Sequence, residues 1–501
     1  MTDNVAPQER SKSVLKRDSL GLGNAIVISV AVISPAASIF FNTVGQAPYA
    51  GAAVAFCDLI GFVVALLVAN QYSEFSREIP SSGSAYDFVS AGLGAGWGFI
   101  TGWLGLIAIV LAVPYAFILM SANLSTLIWR FTGFQLPWYA YYVVAVGVIF
   151  AICYIGIRQS LRVDLTLLAF EVVVCLALAG LVLFHVGSSG GLSLTPFNPA
   201  AIPPSGAISV GIVLGVLNFI GFETAAALGE ETRNPKRNIP RAIYGSMIVV
   251  GVFYVLMAYV FSVGFGPQNI LTQVVNTHDL APFDTLARQY SGGGLAIFVD
   301  IAGLFSFFSA TLAIVNGGAR ILYTLGRDGL MPPPANWAHP TRGTPAGAVA
   351  LLCGLGLIVG LPLGFAFAPL DAFNLLANLD ALFVLLIYAL VGVSCMLFFA
   401  RKRRAQFNIF RHAIVPILGT LVAMGIVVLA LTSPGSGPLI AIPFVVGGWL
   451  LLGLIVTFVI WRLGLLKTIA SEVSSDAPAI SSSREESAAS LEWRITTYNR
   501  E

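Results

Sequence analysis

The feature that most constrains this chain is a succession of long apolar runs, each about 20 residues or more, separated by polar segments. A helix of that length crosses the hydrocarbon of a bilayer with its backbone hydrogen bonds made internally. Reading for such runs gives twelve, near 21–44, 48–72, 86–120, 138–157, 164–186, 206–227, 242–265, 294–324, 346–367, 373–399, 411–432 and 438–462. Their ends are placed to about 3 residues. The third and eighth are too long for a straight perpendicular span and are expected to tilt or to project past the membrane. Only 10% of the residues are charged and 57% are hydrophobic, against about 25% charged in soluble domains. Lipid is therefore the expected solvent for most of the surface, and the sequence predicts an all-α membrane protein with 12 transmembrane helices in a lipid bilayer.

The connecting segments alternate in positive charge. All of the 26 Lys and Arg except Arg130 and Arg288 fall on one side of the predicted membrane. Cytoplasmic loops carry the excess of Lys and Arg, so both termini are expected in the cytoplasm. Adding or removing one span would scramble this partition. The polar residues 1–19 read as a cytoplasmic N-terminal tail, 20–463 as the twelve-helix membrane domain, and the Ser-rich 464–501 as a mostly disordered cytoplasmic tail.

Several functional classes lack their residues. Cys57, Cys153, Cys175, Cys353 and Cys395 are scattered through apolar stretches, as small buried hydrophobes are. The four histidines are isolated, so no metal site and no cofactor is expected. The first apolar run is too long for a cleavable signal peptide. Arginine clusters confined to one membrane face act as topology anchors and give no reason to expect nucleic-acid binding. Glycine pairs such as Gly92-Leu93-Gly94 allow close helix packing and do not form a phosphate loop.

Two spans carry interruptions. In the first, Ile33-Ser34-Pro35-Ala36-Ala37-Ser38 sets a proline among small residues, removing one backbone donor and letting the helix open. A proline kink would account for it alone. In the sixth, Asn218-Phe219-Ile220-Gly221-Phe222-Glu223-Thr224 sets a glycine and a carboxyl in an apolar run. A charge at mid-membrane costs roughly 3 kcal/mol or more unless it is neutralised or paired, which marks Glu223 as functional. The two breaks correspond if spans 1–5 and 6–10 are inverted halves, and paired broken helices point to a transporter's midplane substrate site. The amides of Ala36, Ala37 and Ser38, at the positive end of a half-helix, suit a carboxylate. Carbonyls near Val32, Ile33, Phe219 and Ile220 suit an ammonium group. Together they would hold an α-amino acid zwitterion.

Three segments in order along the chain resemble the amino acid–polyamine–organocation permeases: 80–103 (PSSGSAYDFVSAGLGAGWGFITGW), 221–243 (GFETAAALGEETRNPKRNIPRAI) and 319–332 (ARILYTLGRDGLMP). The resemblance covers residues 20–463. It implies a LeuT-type 5+5 inverted repeat with two additional C-terminal helices, a substrate site between spans one, three, six and eight, and alternating access with proton symport or exchange. Many members have glycines at the first break, where this chain has Ser34 to Ser38. Some proton-coupled members carry a lysine in span five, where Glu171 stands; protonated, it could donate a hydrogen bond to an opened carbonyl of span one. Arginine-exchanging members carry a tryptophan where Leu217 stands, which argues against a large cationic substrate.

The resulting site comprises Ile33, Ser34, Ala36, Ala37, Ser38, Asn218, Phe219, Ile220 and Phe222 for substrate, with Glu223 and Glu171 for proton coupling or gating. Phe219 and Phe222 are candidate aromatic gates, although aromatics in a span more often serve packing. Asn218, Ser306 and Ser309 could tune selectivity. Asp58 and Asp300 fall near span ends and are expected at the outer interface, and Asp380 has no evident partner. The leading expectation is a secondary amino acid transporter with protons as the co-substrate. The alternatives are a polyamine or organic amine permease, an amino acid exchanger and, further off, a non-transporting membrane sensor. No constellation suggests an enzyme.

Overall fold

The computed structural model describes residues 21–79, 83–156, 161–203, 207–228, 232–277, 279–327, 333–433 and 435–462. The two tails lie outside the described residues, as do 80–82, 229–231 and 328–332 of the three family-like motifs. Every element among the described residues is helical. The long helices are α3 (Val54–Glu78), α5 (Ala95–Thr132), α6 (Trp138–Ile155), α7 (Leu161–Ser188), α10 (Pro235–Phe265), α12 (Gly293–Arg327), α15 (Pro369–Lys402), α16 (Val415–Thr432) and α17 (Ile442–Arg462). The shorter ones are α1 (Leu22–Ile33), α2 (Pro35–Ala50), α4 (Ala85–Leu93), α8 (Ile208–Leu217), α9 (Thr224–Ala227), α11 (Pro282–Ser291), α13 (Ala346–Leu355) and α14 (Leu361–Phe367).

Ten helical runs among the described residues are long and apolar enough to cross a bilayer, and Ile208–Leu217 is a shorter apolar helix. The first run, Leu22–Glu78, counts 57 residues. At 1.5 Å per residue that is roughly 85 Å, more than twice a hydrocarbon core. It is interrupted at Ser34 and again at Gly51–Ala53, where Gly51 takes a left-handed φ of 55°. The chain is a multi-pass membrane protein, and its apolar exterior fits: Phe184, Ile358, Phe410, Phe444 and Trp461 are all exposed. The five cysteines are free and buried.

Small residues set the closest approach in the core. A Cβ on Gly61 of α3 would run into the Gly215 carbonyl of α8, and one on Gly215 would run into the Cys57 carbonyl. The two backbones touch there because neither has a side chain in the way. Three residues beyond Gly215 the sixth span breaks, so this contact sets α3 directly behind the break. At one end of the bundle Arg130 pairs with Asp279 and Asp284, and Arg288 with Asp284 and Asp300. One network therefore uses both cations that stand apart in the sequence's charge partition, and it ties α5, α11 and α12 together.

Candidate substrate site

The first break is formed by one residue. α1 stops at Ile33, Ser34 adopts a left-handed conformation (φ 50°, ψ 73°), and α2 begins at Pro35. A non-glycine residue in that region is strained. Serine is a short residue able to bond locally, and its hydroxyl donates to the Ala31 carbonyl at 3.1 Å. Proline follows at the first helical position, where its fixed φ suits a helix start and its missing N–H costs nothing.

The amides expected to face a substrate carboxylate are engaged with groups of the protein. Ala37 N–H donates to the Ser306 hydroxyl at 2.9 Å. Ser38 N–H donates to the Ser34 carbonyl at 3.0 Å, as an ordinary first helical turn does. The Glu171 carboxyl, buried in α7, faces the Ala36 amide and the Ser306 hydroxyl. The carboxyl thus stands beside the start of α2, next to the first break. A helix start offers N–H groups and positive potential, and a carboxylate is what that end attracts. The Ile33 carbonyl accepts the Ser38 hydroxyl at 2.7 Å.

The second break spans Asn218 to Glu223. α8 ends at Leu217, and the chain descends through tight i to i+3 turns: Phe219 N–H to Val216, Ile220 N–H to Leu217, Thr224 N–H to Gly221. Gly221 takes φ 112°, a conformation that L side chains resist. The Glu223 carboxylate folds back to accept the Gly221 amide at 3.0 Å and the Tyr388 hydroxyl of α15 at 3.2 Å. It therefore closes the turn it belongs to and links that turn to α15.

The rings of Phe219 and Phe222 both pack into the scaffold. Phe219 sits on Phe62 and Tyr254, with centroids 5.8 and 5.3 Å away. Phe222 meets Tyr72 and Tyr388 at 5.5 and 5.8 Å. Ile220 and Ser309 are half-buried, and Asn218 is fully buried. Beyond the first break, on the α2 side, a second aromatic group gathers. Phe40 stacks on Phe283 at 4.8 Å, Phe41 stacks on Phe307 at 3.8 Å, and Phe373 meets Tyr115 edge-on at 5.7 Å. One aromatic group thus joins α2, α5, α11, α12 and α15, and another joins α3, α10 and α15 to the sixth-span break.

Of Asp58, Asp300 and Asp380, all buried, Asp58 and Asp380 depart from their expected surroundings. Asp58 is not interfacial: it is 0% exposed and accepts Gln46 Nε2 and Asn218 Nδ2, each at 2.9 Å. Its helix is held against α8 by Gly61 and Gly215, which draws the side chain inward. Asp300 stands near the start of α12 and pairs with Arg288 at 3.6 Å, within the network at one end of the bundle. Asp380 has a partner, the Tyr115 hydroxyl of α5 at 3.0 Å. Sequence reasoning missed Asn42 and Gln46 of α2; Asn42 donates to Asn218 Oδ1 at 2.6 Å. Their signal was available, because Asn42, Thr43 and Gln46 share one face of a membrane helix at helical spacing.

The comparisons with known proteins agree with this architecture. The family model described as amino acid permease matches residues 20–461. The branched-chain amino acid permease BcaP of Lactococcus lactis is 29% identical over 384 residues, covering 72% of this chain and 78% of that protein. BcaP of Bacillus subtilis is 26% identical over 484 residues, 92% of this chain and 96% of that protein. The low-affinity putrescine importer PlaP of Escherichia coli is 24% identical, covering 84% of this chain and 90% of that protein. A match over nearly all of the chain, on a helical bundle broken in its first and sixth spans, places the chain in the amino acid permease family.

Proposed function

We propose that this permease carries amino acids across the plasma membrane by proton-coupled symport and alternating access, with both termini in the cytoplasm. The observation that carries the reading is the amino end of α2, opened at Ser34, where Ala36 and Ala37 present amides to the Glu171 carboxyl and the Ser306 hydroxyl. A site that already holds a carboxyl suits a substrate carboxylate, with carbonyls of the breaks at Ile33 and Ile220 for its ammonium group and Ser34, Ser38 and Asn218 beside it. Phe219 and Phe222 support the site from behind through their backbone and packing.

Two spans within 22–78 and one broken span over 208–227 give twelve in all, arranged as five plus five inverted helices and two further ones. In this arrangement Glu171 and Glu223 act as gates at the two breaks. A protonated Glu171 releases the Ala36 amide to the substrate, and Glu223 fastens the sixth-span turn to Tyr388 while the path is closed. The cluster of Phe40, Phe283 and Phe307 is then the outer closure. The two branched-chain permeases among the relatives, and the apolar Leu217 and Ile220 at the break, favour substrates with aliphatic side chains.

A polyamine substrate is the second reading, favoured by the relative that imports putrescine and by the buried acids Glu171 and Asp380. Counterflow into proteoliposomes preloaded with leucine, competed by a panel of amino acids and diamines, separates the two. Competition by leucine, isoleucine and valine is expected; competition by putrescine alone contradicts the amino acid reading.

A further inference from the structure

Behind the sixth-span break lies a buried polar cluster that neither gate uses. Asp58 Oδ1 accepts both Gln46 Nε2 and Asn218 Nδ2 at 2.9 Å; Gln46 Nε2 also donates to the Gly211 carbonyl at 3.1 Å, and Asn218 Oδ1 accepts Asn42 Nδ2 at 2.6 Å. The cluster joins α2, α3 and α8 to the first residue of the break. Among the described residues Asp58 Oδ2 has no partner, and neither has Gln46 Oε1, the oxygen of the amide that already touches the carboxyl.

Among the described residues no Lys or Arg pairs with Asp58. The titratable groups facing it are the Cys57 thiol on its own helix and the Tyr254 hydroxyl of α10. α8 and α16 carry no titratable residue, and the one on α2, Tyr49, faces Asp371. On α15, Asp380 bonds Tyr115 and Tyr388 bonds Glu223. An ionised carboxylate left alone in such a place is expensive. A proton on Oδ2 removes the charge and turns one orphaned acceptor into a donor. Hard metal cations gather six or more oxygen ligands, and the touching backbones at Gly61 and Gly215 leave little room for that.

We propose that Asp58 is the site at which the protein binds the co-transported proton, and that Asn218 relays its occupancy to the sixth-span break. With the proton bound, the neutral cluster packs α2 and α3 against α8. When the proton leaves, the carboxylate needs water, and wetting it parts α2 and α3 from the break. The inference rests on the symport reading above and assigns its proton to a residue outside the two gates.

The test compares full-length wild type with Asp58→Asn in proteoliposomes. Asp58→Asn is expected to lose pH-gradient-driven accumulation of leucine by about tenfold or more while counterflow stays within about threefold, since exchange needs no net proton movement. Asp58→Glu guards against loss of folding: it is expected to retain driven accumulation with a displaced pH profile. Wild-type accumulation by Asp58→Asn, a wild-type profile in Asp58→Glu, or driving by a sodium gradient at equal pH overturns the assignment. Wild-type vesicles that exchange no amino acid overturn the symport reading instead.

Discussion

The amide of Ala37 donates to the Ser306 hydroxyl across 2.9 Å, fastening the opened end of α2 to α12 through one side chain. The same hydroxyl stands within reach of Glu171 on α7. Three spans therefore meet at the point where the first span opens, and a buried carboxyl stands beside the end of α2 that attracts anions.

Removing that hydroxyl in Ser306→Ala orphans a buried N–H, which costs about 1–3 kcal/mol. The purified variant is expected to melt at a lower temperature than wild type and to show a raised KM for amino acid in counterflow. An unchanged KM with an unchanged melting temperature would mean that the contact is incidental.

Glu171→Gln keeps an oxygen to accept the Ala36 amide but carries no charge. In wild type, a rise in pH is expected to raise the substrate KM, because an ionised Glu171 competes with the substrate carboxylate for α2. In the variant that slope is expected to flatten. A slope identical to wild type in KM measured across neutral pH rules out the competition.

Glu223 holds the Gly221 amide and the Tyr388 hydroxyl. Hydrogen bonds to a charged group contribute about 1.5–3 kcal/mol, so Glu223→Gln is expected to slow proton-driven uptake and counterflow alike, by roughly tenfold. Tyr388→Phe is expected to slow both by less. Full proton-driven uptake by Glu223→Gln would remove it from the gating machinery.

Gly215→Val places a side chain where the α8 backbone meets the Cys57 carbonyl. Overpacking of this kind costs about 1–3 kcal/mol or more, and the yield of monodisperse protein after detergent extraction is expected to fall several-fold. Gly147→Ala, at a position where an added Cβ meets nothing, is expected to leave the yield unchanged.

The helical, membrane-spanning character and both interruptions were legible in the sequence because each depends on local chemistry. Apolar length reports a span, and Pro35 among small residues or Gly221 beside Glu223 reports a backbone that leaves the helix. What the side chains touch was not legible, because those contacts are set by packing between distant spans. Glu171 was read from its place in span five alone, and only the packing of α7 against α2 and α12 sets it beside Ala36 and Ser306. Asp58 was read as interfacial from its place near a span end; only the close approach of Gly61 and Gly215 shows that its helix is pressed against the break. The aromatic pairing of Phe219 with Tyr254, and of Phe222 with Tyr72, likewise depends on which way each turn of the break faces.

The measurement that bears most directly on the central claim is leucine accumulation by the purified protein in proteoliposomes under an imposed pH gradient, acidic outside. Accumulation above the external concentration is expected, collapsing with a protonophore and competed by isoleucine and valine. Accumulation that persists without a pH gradient, or that no amino acid competes, would contradict proton-coupled amino acid transport.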